Sequence, residues 1–157
     1  MALIGNVVWF IFAGWGLGLA WLLAAAVSCV SIVLLPIAPT CLRLAYFSAV
    51  PFGREVIDQR TLDGTSSDAT TQTVRASLNV LWLLIVGWWL ALIHVVWGVG
   101  LCLTLIGIPF GIQAFKIAGA AWWPVGKAVV SKEVDRYAKA KAAQAFVDAR
   151  RAQVPSS

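Results

Sequence analysis

Two basic residues stand at the ends of long uncharged stretches. Arg43 follows 42 residues that contain no Asp, Glu, Lys or Arg, and Lys116 follows the 40 such residues of 76–115. A cation in that setting either snorkels to lipid headgroups or faces a water-filled cavity, where basic side chains favour anions. Arg54 and Lys127 stand a further eleven positions on in each case. These four are the candidate binders of an ion or an anionic lipid headgroup. Polar side chains inside the stretches are few: Asn6, Asn79 and His94 above all, with Ser28, Ser31, Thr104 and Gln113. A histidine can carry a proton near neutral pH and so could couple or gate transport. The plainer reading, a neutral imidazole bonded to a neighbouring helix, is preferred. No Gly-rich phosphate loop, nucleophile elbow or carboxylate pair accompanies these residues, so no enzymatic reaction is expected. The three cysteines show no CxxC or Cys/His ligand spacing, which predicts no metal site, cofactor or disulfide framework.

The elements that hold these residues must be membrane helices. Hydrophobic residues make up 61% of the 157 and charged residues 12%, against about a quarter charged in a soluble domain. Mean hydropathy is +0.85. A bilayer-spanning helix needs roughly 20 apolar residues in a row, and each uncharged stretch is twice that length. A soluble chain of this size has too much surface to hide both. The first stretch lacks a positive leader and is too long to be expected as a signal peptide. The net charge of +5 is concentrated late: residues 127–151 carry seven Lys/Arg against Glu133, Asp135 and Asp148. Basic segments beside a membrane span stay in the cytoplasm, so the tail is expected there. It lacks interleaved aromatics, which suits anionic headgroups better than nucleic acid.

The two stretches are copies. Sliding the chain by 73 residues lays 6–56 on 79–129 without a gap, with 13 of 51 positions identical. The matches include Asn6/Asn79, Trp9/Trp82, Gly14/Gly87, Cys29/Cys102, Pro36/Pro109, Pro51/Pro124 and Gly53/Gly126, while Arg43 aligns with Lys116 and Arg54 with Lys127. Transporter and channel folds are often assembled from such repeats.

Each half predicts a long helix ending at Pro36 or Pro109, then a short helix at about 40–50 or 112–122. Pro-x-Gly-basic closes the short helix at Pro51 and Pro124. Pro removes a backbone donor and restricts its predecessor, and Gly loosens the chain, so Pro36, Pro109, Gly107, Gly111, Pro51 and Pro124 are the expected hinges. Trp9 and Trp82 are expected at headgroup level. The short helices cannot cross the hydrocarbon core alone. An interfacial position is preferred for them over a re-entrant one. With one crossing per half, the repeats are inverted, segment 54–75 lies outside and both termini lie inside. Full hairpins would instead give four spans, parallel repeats and every polar segment in the cytoplasm. The first is favoured. The fold class is therefore an all-α integral membrane protein, a duplicated unit of long transmembrane helix plus short Pro-bounded interfacial or re-entrant helix. Its parts are a first membrane repeat (4–57), a polar loop (58–76), a second repeat (77–130) and a basic cytoplasmic tail (131–157). Helical composition extends over 127–152, with a weak apolar stripe of Val130, Val134, Tyr137, Ala138 and Phe146.

The block Asn79-Val-Leu-Trp82, Gly87-Trp88-Trp89, Ile106-Gly-Ile-Pro-Phe-Gly111, Phe115-Lys116 and Trp123-Pro-Val-Gly126 resembles the YccF family of small bacterial inner-membrane proteins. The resemblance covers roughly 4–130. The first copy departs from it, with Leu34-Leu35-Pro36-Ile37-Ala38-Pro39 in place of the Ile-Gly-Ile-Pro-Phe-Gly block. It implies a multi-pass protein of the bacterial inner membrane with a cytoplasmic C-terminus, and no activity. Small-residue faces and matched charges favour an ion channel or transporter, with anions slightly preferred. Two long spans cannot enclose a pore, so a homo-oligomer is expected. The alternative is a non-catalytic assembly or lipid-interacting module, with the bilayer and anionic headgroups as its partners.

Overall fold

The computed structural model describes residues 2–63 and 68–152, so most of the polar run 63–68 and the last five residues lie outside it. Helix α1 (Leu3–Val30) is followed by a 3-10 turn (Leu35–Ile37) and helix α2 (Ala38–Ala49). Strand β1 (Arg54–Asp58) and the short helix α3 (Gln59–Asp63) connect to the second half. That half holds helix α4 (Ala69–Cys102) and helix α5 (Ile108–Trp122), and strand β2 (Lys127–Ser131) and helix α6 (Lys132–Ala152) end the chain. At 1.5 Å per residue, α1 and α4 run about 42 and 51 Å.

Each half closes on itself as a hairpin, by the same bonds twice. Asn6 Nδ2 donates to the Phe52 carbonyl at 3.0 Å and its Oδ1 accepts from the Phe52 amide at 2.8 Å. Asn79 does the same with Val125, at 3.1 and 2.9 Å. Three positions on, Trp9 Nε1 donates to the Ser48 carbonyl at 2.7 Å and Trp82 Nε1 to that of Ala121 at 2.8 Å. A π-helical turn follows each indole, at Phe10–Gly14 and Leu83–Gly87. Such a turn adds one residue and rotates the face of the helix. Glycine ends both turns for a steric reason. A Cβ on Gly14 would lie 2.7 Å from the Trp9 ring and from the Ala49 carbonyl oxygen; one on Gly87 would lie 2.7 Å from Trp82 and 3.1 Å from the Ala121 oxygen. The return helices then end in β-turns, with Arg54 N–H on the Pro51 carbonyl and Lys127 N–H on that of Pro124. Gly53 and Gly126 sit at φ 95° and 93°, the left-handed position that such a turn reserves for glycine.

At the far ends the chain turns on itself. Pro36 and Pro109 occupy the first positions of the return segments, where a missing N–H costs nothing. Ser31 Oγ and Thr104 Oγ1, a matched pair, accept from the Leu34 and Gly107 amides. A Cβ on Gly107 would collide with the Leu101 carbonyl oxygen, and one on Gly111 with Cys102 Sγ.

Two expectations change here. Trp9 and Trp82 are buried, not interfacial, because each indole N–H finds a carbonyl on the return helix. The short helices do not lie apart; α2 packs along α1, and α5 along α4.

The halves join through a ribbon. β1 and β2 pair antiparallel, with Arg54 opposite Ser131, Val56 opposite Val129 and Asp58 opposite Lys127. Val56 and Val129 are equivalent positions of the two copies, so a pseudo-two-fold axis passes between them. Trp21 and His94, also equivalent, meet with ring centroids 6.2 Å apart. About that axis the hairpins run in opposite directions. Trp9, at the open end of the first, stacks at 6.4 Å on Phe110, beside the turn of the second, and Phe52 meets the same ring edge-on at 5.3 Å. Trp21 stacks on Trp82 at 6.0 Å. The central core is therefore indole rings with Leu17, Leu34, Ile37, Phe47 and Ile117. The ribbon lies against α2, and α6 covers both strands and α3.

This corrects three more expectations. The chain is not all-α, since 54–58 and 127–131 are strands; the C-terminal helix starts at Lys132, not at Lys127 as its composition predicts. The described part of 58–76 is largely α3 and the first turns of α4, not loop. Segment 54–63 and the tail cannot lie on opposite sides of a membrane, because backbone hydrogen bonds tie β1 to β2 and α3 touches α6. The single-crossing arrangement therefore gives way to two hairpins tied at the ribbon.

Candidate functional site

The matched cations do not converge on one cavity. Lys116 Nζ, on α5, binds both carboxylate oxygens of Glu55 on β1, at 2.9 and 3.0 Å. This pair ties the second hairpin to the ribbon. The equivalent of Glu55 in the second copy is Ala128, and Arg43 accordingly makes no hydrogen bond or ion pair among the described residues. It is exposed on α2 between Leu42 and Leu44. Arg54 lies over the Tyr46 ring at 4.1 Å and donates to its hydroxyl at 3.0 Å. Lys127 stands 3.7 Å from Asp58.

His94 is fully buried on the axis. Its Nδ1 lies 2.8 Å from the Leu90 carbonyl and its Nε2 3.1 Å from Ser48 Oγ. A carbonyl only accepts, so Nδ1 carries the hydrogen, and in the neutral ring Ser48 donates to Nε2. A serine beside a histidine holds the atoms of a nucleophile and its base. Here Ser48 is also fully buried, and a backbone carbonyl rather than an acid orients the ring. The contact fastens the first return helix to the second long helix, which accords with a satisfied neutral histidine. Ser48 was not singled out by sequence, because its equivalent is Ala121 and no spacing pointed to it. Trp21, whose ring meets His94, has its Nε1 buried without a hydrogen-bond partner, as does Gln113 its Oε1 on α5.

Asn6 and Asn79, candidates for intramembrane polar sites, use both ends of their amides on the hairpin closures described above. Pro36, Pro109, Gly107 and Gly111 form the two far turns, and Pro51 and Pro124 the turns into the ribbon. Among the described residues no three His, Cys, Asp or Glu side chains group as metal ligands. Cys29, Cys41 and Cys102 are free thiols.

Two clefts open at the junction of the halves. A polar one of about 370 Å³ lies where the start of α4 passes the end of the ribbon, lined by Asp58, Arg60, Gln72, Arg75, Trp123 and Gly126 among others. An apolar one of about 280 Å³ lies between the open end of the first hairpin and the turn of the second, with Trp9, Phe12, Gly100, Leu101 and Phe110 in its walls. Arg60 and Arg75 escaped the sequence reading because only the ribbon brings the end of β1 against the start of α4.

Fold and site together define two like helical hairpins joined by a ribbon, each with a helix long and apolar enough to cross a membrane, with no assembled catalytic centre among the described residues. The chain belongs to the YccF family, whose profile, the inner membrane component domain, matches residues 4–54 and 77–127. It is 41% identical to the inner membrane protein YccF of Escherichia coli K12 over 134 residues, which is 85% of this chain and 90% of that protein. The inner membrane protein YccF of Shigella flexneri matches to the same extent. No solved structure matches the chain.

Proposed function

We propose that this protein is a non-catalytic, lipid-interacting module of the bacterial inner membrane, inserted from the cytoplasmic face with its C-terminal helix in the cytoplasm. The observation that carries the reading is where polarity lies. The hairpin turns carry no charge, and Val30, Ile32, Leu103, Leu105 and Ile106 there are 83–88% exposed. Turns facing water would not expose five large apolar side chains. They do close some of their own backbone bonds, as lipid demands. Charge gathers instead on the ribbon, α3 and α6, around the pseudo-two-fold axis.

Orientation then follows from energy. With the axis in the bilayer plane, Arg54, Glu55, Asp58 and Lys127 would sit near mid-depth, at about 2.5–3.5 kcal/mol each before pairing. With the axis along the membrane normal, the ribbon and α6 lie at the surface and the hairpins slope into one side of the bilayer. The second placement avoids a cost on the order of 10 kcal/mol.

An oligomeric ion channel or transporter with a mild anion preference is the second reading, favoured by the internal repeat itself. It needs several copies to enclose water along the ribbon, and Lys116 is already neutralised by Glu55. Reconstitution of the full chain into liposomes separates the two. The proposal expects chloride and potassium flux no greater than in empty liposomes. Flux that falls in Arg43→Ala or Lys116→Ala would establish the channel instead.

A further inference from the structure

Both matched cations of the second hairpin meet an acid of β1, and neither cation of the first hairpin meets one on β2. Lys116 holds Glu55, and Lys127 faces Asp58 across the ribbon. The residues equivalent to Glu55 and Asp58 are Ala128 and Ser131. Arg43 therefore has no carboxylate partner among the described residues, and Arg54 stands opposite Ser131. Arg54 instead lies over the Tyr46 ring and donates to its hydroxyl. Neither a ring face nor a neutral phenol cancels its charge. Arg43 precedes Tyr46 by three positions on α2, which makes the two side chains neighbours on the helix surface. Glu133, the first acid after Ser131, makes no ion pair among the described residues and follows another cation, Lys132.

Tyr46 also lines an apolar cleft of about 470 Å³ on the outer face of the first hairpin, between α1 and α2, with Trp15, Gly18, Leu19, Leu22 and Leu42 in its walls. The cleft runs along α2 from Ala49 to Leu42, about 10 Å from the ribbon side toward the far turn. The corresponding cleft of the second hairpin is smaller, about 310 Å³, with Ala91 and Trp122 where the first has Gly18 and Ala49. Gly119 stands there in place of Tyr46. One half thus combines an open apolar trough with two uncompensated guanidinium groups, and the other has a narrower trough beside neutralised cations. Guanidinium groups match phosphate oxygens by paired N–H donors, and basic residues between membrane helices take anionic headgroups.

We propose that the first hairpin holds one anionic glycerophospholipid, an acyl chain in the cleft and the phosphate on Arg54 and Arg43 beside Tyr46. The inference rests on the reading that this protein meets lipid with the ribbon at headgroup level, and it names which half binds and why.

The test is native mass spectrometry of the full chain in detergent, titrated with phosphatidylglycerol and with phosphatidylcholine, with and without millimolar inorganic phosphate. The wild type should retain phosphatidylglycerol in preference. Arg43→Gln with Arg54→Gln should weaken that retention at least about tenfold. Ala128→Glu with Ser131→Asp, which supplies the acids the second hairpin has, should weaken it comparably with both arginines in place. Ala49→Trp, which narrows the trough as Trp122 does, should weaken retention of both lipids. Lys141→Gln with Arg150→Gln, on α6, removes the same charge elsewhere and should leave retention unchanged; circular dichroism should show all variants folded. Wild-type retention in the double glutamine variant, or an equal loss in the α6 variant, overturns this site alone. A wild type with no preference for phosphatidylglycerol overturns the headgroup reading beneath it as well. Displacement of the lipid by inorganic phosphate overturns the lipid assignment in favour of a soluble phosphate.

Discussion

Removing the Asn79 side chain should cost more than removing Asn6, although the two make the same bonds. Asn79→Ala deletes two hydrogen bonds to Val125, each contributing about 1 kcal/mol net, and strands an amide and a carbonyl at about 1–3 kcal/mol between them. Asn79 is fully buried, so water cannot replace what is lost, and a destabilisation of about 3–4 kcal/mol follows. Asn6 is only half-buried, and water or a headgroup can reach the freed Phe52 groups. Asn6→Ala should therefore cost about 1–2 kcal/mol. The two lie on different hairpins and share no partner, so the double variant should be additive within about 0.5 kcal/mol. The assay is reversible unfolding in mixed micelles by increasing SDS fraction, followed by far-ultraviolet circular dichroism. Equal costs at both positions would refute the burial argument, and no cost at either would refute the claim that these amides lock the hairpins shut.

Gly14→Ala and Gly87→Ala should each destabilise the protein by about 1–3 kcal/mol in the same assay through the clash with the indole rings. Gly16→Ala, where nothing lies within 4 Å of the added methyl, should be neutral or stabilising. Glu55→Gln should cost about 1 kcal/mol or less, because the Lys116 and Glu55 side chains keep 39% and 20% of their exposure. Ala128→Glu should recover a similar amount by giving Arg43 the partner its counterpart has, which a thermal melt would show. Asp68 caps α4: the Thr71 hydroxyl and amide donate to its carboxylate and hold its pKa below the ordinary value. A depressed carboxylate stabilises above its unfolded pKa and loses that as pH falls, so hydrogen-exchange protection of the Thr71 amide should drop below about pH 4.

The duplication carried much of the fold into view. An offset of 73 places Asn6 with Asn79, Trp9 with Trp82 and Gly53 with Gly126, and the structure uses each pair alike. What the pairs touch was not legible, because Phe52, Ser48 and their equivalents offer backbone groups, which leave no trace in residue type. Trp9 and Trp82 misled for that reason: an indole bonded to a carbonyl inside a hairpin looks in sequence like one at a headgroup. The ribbon was hidden because it joins segments 73 residues apart in runs of five, too short for alternation to stand out from flanking charge. Lys127-Ala-Val-Val-Ser131 does hold two β-branched valines, a signal outweighed by the helix formers that follow. Lys116 and Arg43 were found as a pair, but their different fates depend on Glu55 having an alanine for a counterpart. Arg60 and Arg75 meet only once the ribbon exists.

The central claim is that both hairpins enter the bilayer from the face that carries the ribbon and the tail. Single cysteines in a cysteine-free background, labelled with a membrane-impermeant maleimide from each side of inner-membrane vesicles, test it most directly. Positions 33 and 105, in the two turns, should react from neither side, and positions 60 and 139 should react from the cytoplasmic side alone. Labelling of 33 or 105 from the periplasmic side, or of 60 and 139 from opposite sides, would contradict the account.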